Sequence, residues 1–157
     1  MASTACLLDT RPQMVDAGAY PVLMLVEGKG SPAVVFISGG FGGPLDADNK
    51  VSLKVRKFVR TVVYQRGGIG KSEPAPPPRD SKHVASELHT ALRNAGVAPP
   101  YILVGASLGG IHARVFAHMY PADVAGLACR ATGSVVHPDP AQAGSASRWN
   151  PTSSVEI

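Results

Sequence analysis

Three short runs of apolar, mostly β-branched residues set the strongest limit on the fold of this chain. They are residues 33–38 (AVVFIS), 61–65 (TVVYQ) and 101–104 (YILV). Runs without a polar face are typical of strands that are covered on both sides in a parallel sheet. Helical segments separate these runs, so we predict an open, mostly parallel α/β sheet with helices on both faces. Ligands of such sheets bind beyond the carboxyl ends of the strands.

The remaining segments complete this pattern. Residues 22–26 (VLMLV) predict a strand, and we expect residues 14–16 to pair with it as a hairpin. Two further segments are weaker: residues 51–59 predict a short helix with a basic outer face, and residues 124–129 predict a strand.

Two longer helices have clear boundaries. The first begins at Asp80 or Ser81, either of which can cap it, and ends before Gly96. The second runs from the tight turn at residues 105–109 to Tyr120 and stops at Pro121.

Composition divides the chain into three parts. Residues 1–13 look irregular, and residues 14–130 carry the predicted strands and helices of one domain. Residues 131–157 are dominated by Ala, Ser, Gly, Pro and Gln, so we expect a poorly ordered tail. With 157 residues, of which 45% are hydrophobic, the chain can bury the core of a single domain.

Composition and charge also argue against several classes of protein. The net charge is +4, but the densest basic run, residues 50–60, has no aromatic ladder, so we expect no nucleic-acid partner. No apolar stretch of about 18 residues and no signal-peptide pattern are present, so we expect no membrane span. Two distant cysteines form neither a disulfide framework nor a metal motif. A cytoplasmic protein without metal or cofactor is therefore expected.

The pentapeptide GASLG at residues 105–109 carries the chemistry of the chain. It follows an apolar strand directly and opens a helix directly, which is the setting that a nucleophilic serine at a strand-to-helix turn requires. Glycines at 105 and 109 allow close packing while the hydroxyl of Ser107 projects outward. The structural alternative is a glycine turn in which Ser107 only caps the helix.

An acyl-transfer enzyme also needs donors for the oxyanion. The N–H of Leu108, the residue after the serine, is one predicted donor. The second should come from the glycine loop that follows residues 33–38, and there Gly40 is the first choice and Phe41 the second.

With these features in place, residues 15–127 resemble the α/β-hydrolase superfamily, in particular its esterase- and lipase-like members. The resemblance rests on residues 34–43, 64–72 and 101–110, and on the helix and strand after them. It implies hydrolysis of carboxylic esters or related acyl substrates by Ser107, without a cofactor. The chain departs from the family pattern at Ser38, Gln65 and Ala106, where the family often has His, Asp and His.

The resemblance also implies an acid after a seventh strand and a histidine after an eighth, whereas this chain ends just after the sixth. The histidines at 83, 89, 112 and 118 lie on predicted helices, as surface or packing residues. His137, near Asp139, is the one histidine after the sixth strand and could replace the missing base. The alternative is a truncated, catalytically impaired domain that binds a ligand or partner. An exposed sixth strand could also pair with a second copy.

A nucleotide site is the other reading that the sequence offers. Residues 67–72 (GGIGKS) end like a P-loop, but Gln65 stands where that motif needs glycine. A P-loop must run into a helix that holds phosphate, and the prolines of residues 73–78 prevent one. We therefore expect no nucleotide binding.

Overall fold

A six-stranded sheet forms the centre of the molecule. The computed structural model describes residues 11–40, 42 and 50–130, with the backbone alone at 130. The strands, numbered along the chain, are β1 (Gln13–Asp16), β2 (Pro21–Glu27), β3 (Ala33–Ile37), β4 (Thr61–Tyr64), β5 (Tyr101–Ala106) and β6 (Val124–Arg130). The helices are α1 (Lys50–Val55), α2 (Ser81–Asn94) and α3 (Leu108–Met119), and a short 3₁₀ turn (Pro121–Asp123) precedes β6. Of the irregular segment predicted at 1–13, residues 1–10 lie outside the described residues, as does the predicted tail at 131–157, and β1 already begins at Gln13.

The strand order is β1-β2-β4-β3-β5-β6. The four strands β4, β3, β5 and β6 are parallel to one another, whereas β2 is antiparallel to both β1 and β4. The prediction of a mostly parallel sheet is confirmed, as is the hairpin between residues 14–16 and β2. β1 and β6 are the outer strands of this sheet.

Helices cover the sheet on both faces, as predicted. One face packs against α2 and α3 through a large apolar cluster that includes Val35, Leu88, Leu103 and Phe116. The other face packs a smaller cluster around Phe36 and Val63 against the end of α1. The strands that lie between these two layers are buried on both sides, which is why their sequences are continuously apolar.

The predicted boundaries of α2 and α3 agree with the structure. Asp80 caps α2, and its carboxylate accepts the N–H groups of Lys82 and His83, each at 2.9 Å. These bonds and the contact with the His83 ring hold the pKa of Asp80 below its ordinary value. Gly96 follows the helix with a φ of +69°, a conformation that favours glycine.

The predicted length of the short basic helix, α1, is wrong. We predicted a helix over residues 51–59, and α1 ends at Val55. Beyond it the N–H groups of Lys57 and Phe58 bond to carbonyls three residues back, so the chain tightens into turns before β4.

Among the described residues, no helix has the length and apolarity needed to cross a bilayer.

Candidate active site

Ser107 is the single residue that connects a strand to a helix. β5 ends at Ala106 and α3 begins at Leu108, so Ser107 belongs to neither. Its φ of 51° and ψ of −123° are unusual for a residue with a side chain, and in the described part of the chain no other non-glycine residue has a positive φ. Its side chain makes no capping hydrogen bond to the helix. The serine is exposed, and because its side chain bonds no helix N–H, the alternative in which Ser107 only caps the helix has no support.

Glycines make this sharp turn possible. A Cβ on Gly105 would come within 2.5 Å of the Cα of Gly110 and 2.6 Å of the carbonyl oxygen of Gly109. A Cβ on Gly109 would come within 2.5 Å of the carbonyl oxygen of Ser38. The start of α3 therefore lies directly against the ends of β3 and β5. The packing role predicted for Gly105 and Gly109 is confirmed.

The loop after β3 lies against the serine. A Cβ on Gly39 would be 3.5 Å from the Cβ of Ser107 and 3.4 Å from the carbonyl oxygen of Ala106. A Cβ on Gly40 would be 3.8 Å from Cδ2 of Leu108. The fold thus places Gly39 beside Ser107, and Gly40 beside the side chain of Leu108; Gly40 and Leu108 are the two predicted oxyanion donors. Phe41, the second choice, lies outside the described residues.

The N-terminus of α3 gives this region its polarity. Leu108 is the first helical residue, and the first N–H groups of a helix have no acceptor inside it. The helix dipole adds a partial positive charge at the same end. Leu108 and Ile111 also expose apolar side chains on the first turn of α3. The region around the serine hydroxyl can therefore accommodate both a developing negative charge and an apolar group.

A buried arginine donates hydrogen bonds to the backbone of the glycine loop after β3. Arg66, only 5% exposed, follows β4 and reaches the loop after β3. Its Nη1 donates to the carbonyl of Ser38 at 2.7 Å, and its Nη2 donates to those of Gly39 at 2.7 Å and Gly40 at 3.0 Å. No role for Arg66 was predicted from the sequence. The available signal was an arginine directly after a buried parallel strand, at the edge where the ligand site of such sheets lies.

A second buried network anchors the loop that continues from Arg66. The carboxylate of Glu87, which is 3% exposed, accepts bonds from the Tyr20 hydroxyl at 2.6 Å and from Arg79 at 2.7 Å. It also accepts the N–H of Gly67 at 3.2 Å. Burial and the neighbouring Glu87 raise the pKa of Tyr20 to about 12, so the phenol stays protonated as a donor. This network ties residues 67–79 to α2.

Two of the four described histidines bond to residues at the start of α2. His83 bonds Asp80 at 2.8 Å, at the start of α2. His112 is buried on α3 and bonds the Ser81 hydroxyl at 2.9 Å. Burial, followed by the charges of Arg66 and Arg79, lowers the pKa of His112 to about 4, which keeps it neutral at pH 7. Its predicted packing role is confirmed.

The remaining two histidines are remote from the serine. His89 bonds Asp123 at 2.9 Å and stacks on Tyr120 at a ring distance of 3.8 Å. Asp123 immediately precedes β6, and β5 and β6 run parallel, so this pair lies at the opposite end of the sheet from Ser107. A six-residue strand separates the two ends by about 20 Å. His118 lies near the end of α3, about 15 Å along the helix from Ser107.

The structure gives no support to a nucleotide or metal site in its described part. Residues 67–72 form turns, and an irregular segment follows them up to α2, so this loop does not lead into a helix as a P-loop does. Across residues 11–40, 42 and 50–130, no group of three metal-binding side chains occurs.

Comparison with known proteins identifies relatives for most of the chain. A family model described as the alpha/beta hydrolase fold matches residues 32–151. The uncharacterized protein YbdG of Bacillus subtilis is 33% identical over 121 residues, which are 76% of this chain and 37% of YbdG. The crystal structure of VinJ is 28% identical with a TM-score of 0.66, over 76% of this chain and 43% of VinJ. Cfl2 from Burkholderia cenocepacia, at 22% identity, shares the fold with a TM-score of 0.70, over 88% of this chain and 49% of Cfl2.

These relatives are longer than the chain. It spans about two fifths of YbdG and VinJ and about half of Cfl2. The six strands and three helices described here therefore correspond to part of the full fold.

Proposed function

Because this chain belongs to the α/β-hydrolase fold family, we propose that it is a serine hydrolase that cleaves carboxylic esters or related acyl substrates through Ser107. The backbone of Ser107 carries this proposal. An exposed serine with a φ of 51°, held between β5 and α3, matches the strained turn that presents a nucleophile above a parallel sheet. Such strain persists where the surrounding structure enforces it, and it clusters at functional sites.

The proposed reaction proceeds through an acyl-enzyme. Ser107 Oγ attacks the acyl carbon while a general base takes the hydroxyl proton, and the carbonyl oxygen becomes an oxyanion. The N–H groups of Leu108 and Gly40 are the proposed donors to that oxyanion. Collapse of the intermediate breaks the ester bond, and the departing alcohol takes the proton from the base. Water then cleaves the acyl-enzyme by the same route and releases the acid.

The base is assigned to a residue outside the described part of the chain. β6 runs parallel to β5, and Arg130 pairs with Ala106, so the backbone leaves β6 one strand spacing, about 4.8 Å, from the strand that carries Ser107. An extended chain covers about 3.3 Å per residue, so a segment of seven residues after Arg130 is long enough to span the distance to Ser107. His137, near Asp139 in the sequence, is therefore the candidate base that this chain offers.

A second candidate function is a hydrolase-like domain that binds a ligand or partner without turnover. The described histidines favour it, because His83, His89 and His112 are bonded elsewhere and His118 is remote. The two candidates share the fold and the serine turn. They differ in whether the hydroxyl of Ser107 is activated.

Reaction with an activated ester separates the two candidates. The full chain is incubated with p-nitrophenyl acetate and, separately, with a fluorophosphonate probe that labels activated serines. Hydrolysis and labelling that disappear in Ser107→Ala support the enzyme. The matched control is Ser31→Ala, which removes an exposed serine before β3 at the other end of the sheet. Equal rates in native protein and Ser107→Ala contradict the nucleophile, and a protein that is inert but folded favours the binding domain.

A further inference from the structure

Arg66 places a buried positive charge behind the loop that contacts Ser107. β3 and β4 are neighbouring parallel strands, so the residues that follow them meet at the same edge of the sheet. The guanidinium donates to three successive carbonyls, those of Ser38, Gly39 and Gly40. Among the described residues, these carbonyls are its hydrogen-bond partners and no carboxylate pairs with it. A buried guanidinium thus directs its donors at one short loop.

Peptide geometry turns these three bonds into a constraint on the amide groups. A trans peptide is planar, and its C=O and N–H point in opposite directions. When the carbonyl of Gly39 points at Arg66, the N–H of Gly40 must point away from Arg66. The same holds for the carbonyl of Ser38 and the N–H of Gly39. The loop meets Arg66 through its oxygens, whereas the Cβ directions of Gly39 and Gly40 face Ser107 and Leu108.

The loop has little preference of its own for this orientation. Glycine accepts a wide range of backbone angles, so the peptides at residues 38–40 can rotate unless something holds them. One backbone bond, from the N–H of Gly42 to the carbonyl of Gly39 at 3.1 Å, contributes. Among the described residues, three further bonds to the carbonyls of this loop come from Arg66.

We propose that Arg66 is a positioning residue, which fixes the amide of Gly40 toward the oxyanion and polarises it. This inference rests on the proposed function of Ser107. A cation that bonds a carbonyl oxygen draws electron density through the peptide and makes its N–H a stronger donor. Because the guanidinium is buried, water screens its charge weakly. Arg66 acts through the backbone and does not touch the substrate.

Substitution of Arg66 tests this role, with Arg79 as the matched control. Arg79 is a partly buried arginine that bonds Tyr20, Glu87 and Gly67, and none of these bonds reaches residues 38–40. In Arg66→Met we expect kcat for p-nitrophenyl acetate and the rate of fluorophosphonate labelling to fall about 100-fold, comparable to the loss of one oxyanion donor. We expect KM to change less than about threefold. Arg66→Lys should recover part of the loss, because it restores charge without the planar fork.

The measurements are made per folded molecule, with the folded fraction taken from near-UV circular dichroism. Arg79→Met should lower thermal stability yet label Ser107 at the native rate. If Arg66→Met labels at the native rate, or if Arg79→Met loses as much rate as Arg66→Met, the positioning role is overturned.

A second readout is independent of turnover and separates this proposal from the proposed function. Amide hydrogen exchange of Gly39 and Gly40 is measured by NMR in the native protein and in both variants. Faster exchange in Arg66→Met than in Arg79→Met shows that Arg66 orders the loop, even if native Ser107 proves unreactive and the proposed function fails. Equal exchange in the two variants refutes the positioning role, even if Ser107 is the nucleophile.

Discussion

Gly105 and Gly110 touch backbone to backbone: a Cβ on Gly105 would lie 2.5 Å from the Cα of Gly110. β5 and α3 approach this closely on either side of Ser107, and the contact leaves no space for a methyl group. The sharpness of the turn at Ser107 depends on it.

Gly105→Ala should therefore destabilise the protein by about 1–3 kcal/mol, which is the usual cost of forcing an extra methyl group into a packed interior. Chemical denaturation measures the change. Gly126→Ala is the control, because among the described residues a Cβ on Gly126 would meet only Ile102, at the ordinary contact distances of 3.7 Å and 3.8 Å. Equal stability losses in the two variants would mean that the close contact is not what limits residue 105.

The strained backbone of Ser107 predicts a gain of stability at the expense of chemistry. Glycine adopts a positive φ without strain, so Ser107→Gly should raise the free energy of unfolding by about 1 kcal/mol while abolishing ester hydrolysis. Ser107→Ala removes the hydroxyl but keeps the Cβ, so it should lose activity without this gain. A Ser107→Gly protein that is no more stable than Ser107→Ala would show that the turn is not strained.

The buried His112 predicts a dependence of stability on pH. Its pKa is lowered to about 4 in the folded protein, from about 6.5 for an exposed histidine, so the unfolded chain binds an extra proton between these values. This contribution to stability is fully present above pH 6.5 and is lost as the pH falls toward 4. The pKa is lowered by between two and three units, and each unit corresponds to about 1.4 kcal/mol, so the loss is at most about 3 kcal/mol.

Denaturation at several pH values between 4 and 7 measures this effect. His112→Gln should flatten the profile in that range, whereas His118→Gln, which replaces an exposed histidine on the same helix, should keep the native slope. If both variants retain the native slope, the titration of His112 does not control acid stability.

The ion pair of Glu87 and Arg79 should matter far more than that of Glu27 and Arg56. The Glu87 side chain is 1% exposed, and its removal leaves a partly buried guanidinium without its carboxylate. Glu87→Gln should therefore cost about 3 kcal/mol. Arg56 is 38% exposed, so the loss of its pair in Glu27→Gln should destabilise the protein much less. Thermal denaturation compares the two, and similar losses would contradict this ranking.

The outer strand β6 predicts association between copies of the chain. A strand at the edge of a sheet offers unpaired backbone groups to another strand. Light scattering of the full chain should show a mass that rises with concentration. Ala128→Lys, on β6, should reduce association, and Ala122→Lys, which adds the same charge at an exposed position before β6, should not. A monomer at every concentration would rule out pairing through this edge.

The sequence alone predicted the sheet well, because buried parallel strands have an unmistakable composition. The strand predicted at residues 61–65 ends one residue earlier in the structure, and the helix limits around Asp80 and Gly96 agree. The short helix α1 was predicted too long, since apolar spacing does not distinguish a helix from the tightened turns that follow Val55.

The support of the candidate site was harder to predict. Arg66 bonds backbone carbonyls, which every residue possesses, so the pattern of side chains in the sequence does not predict its partners. Glu87 lies on α2 among the apolar positions, and its burial depends on Arg79 and Tyr20 arriving from elsewhere in the fold. The cytoplasmic location, the absence of a cofactor and the role of His137 stay predictions.

The placement of the candidate groups has a consequence for how such a protein can diversify. Gly40 follows β3, Arg66 follows β4 and Ser107 follows β5, so all three sit on a single rim of the sheet. The hydrophobic interior lies beneath that rim, and the pair of His89 and Asp123 occupies the far rim. In the hydrolase proposed above, loop insertions on this rim would alter which acyl groups are accepted while the strands below keep their pairing. Selectivity and folding would then be encoded in separate stretches of the same chain.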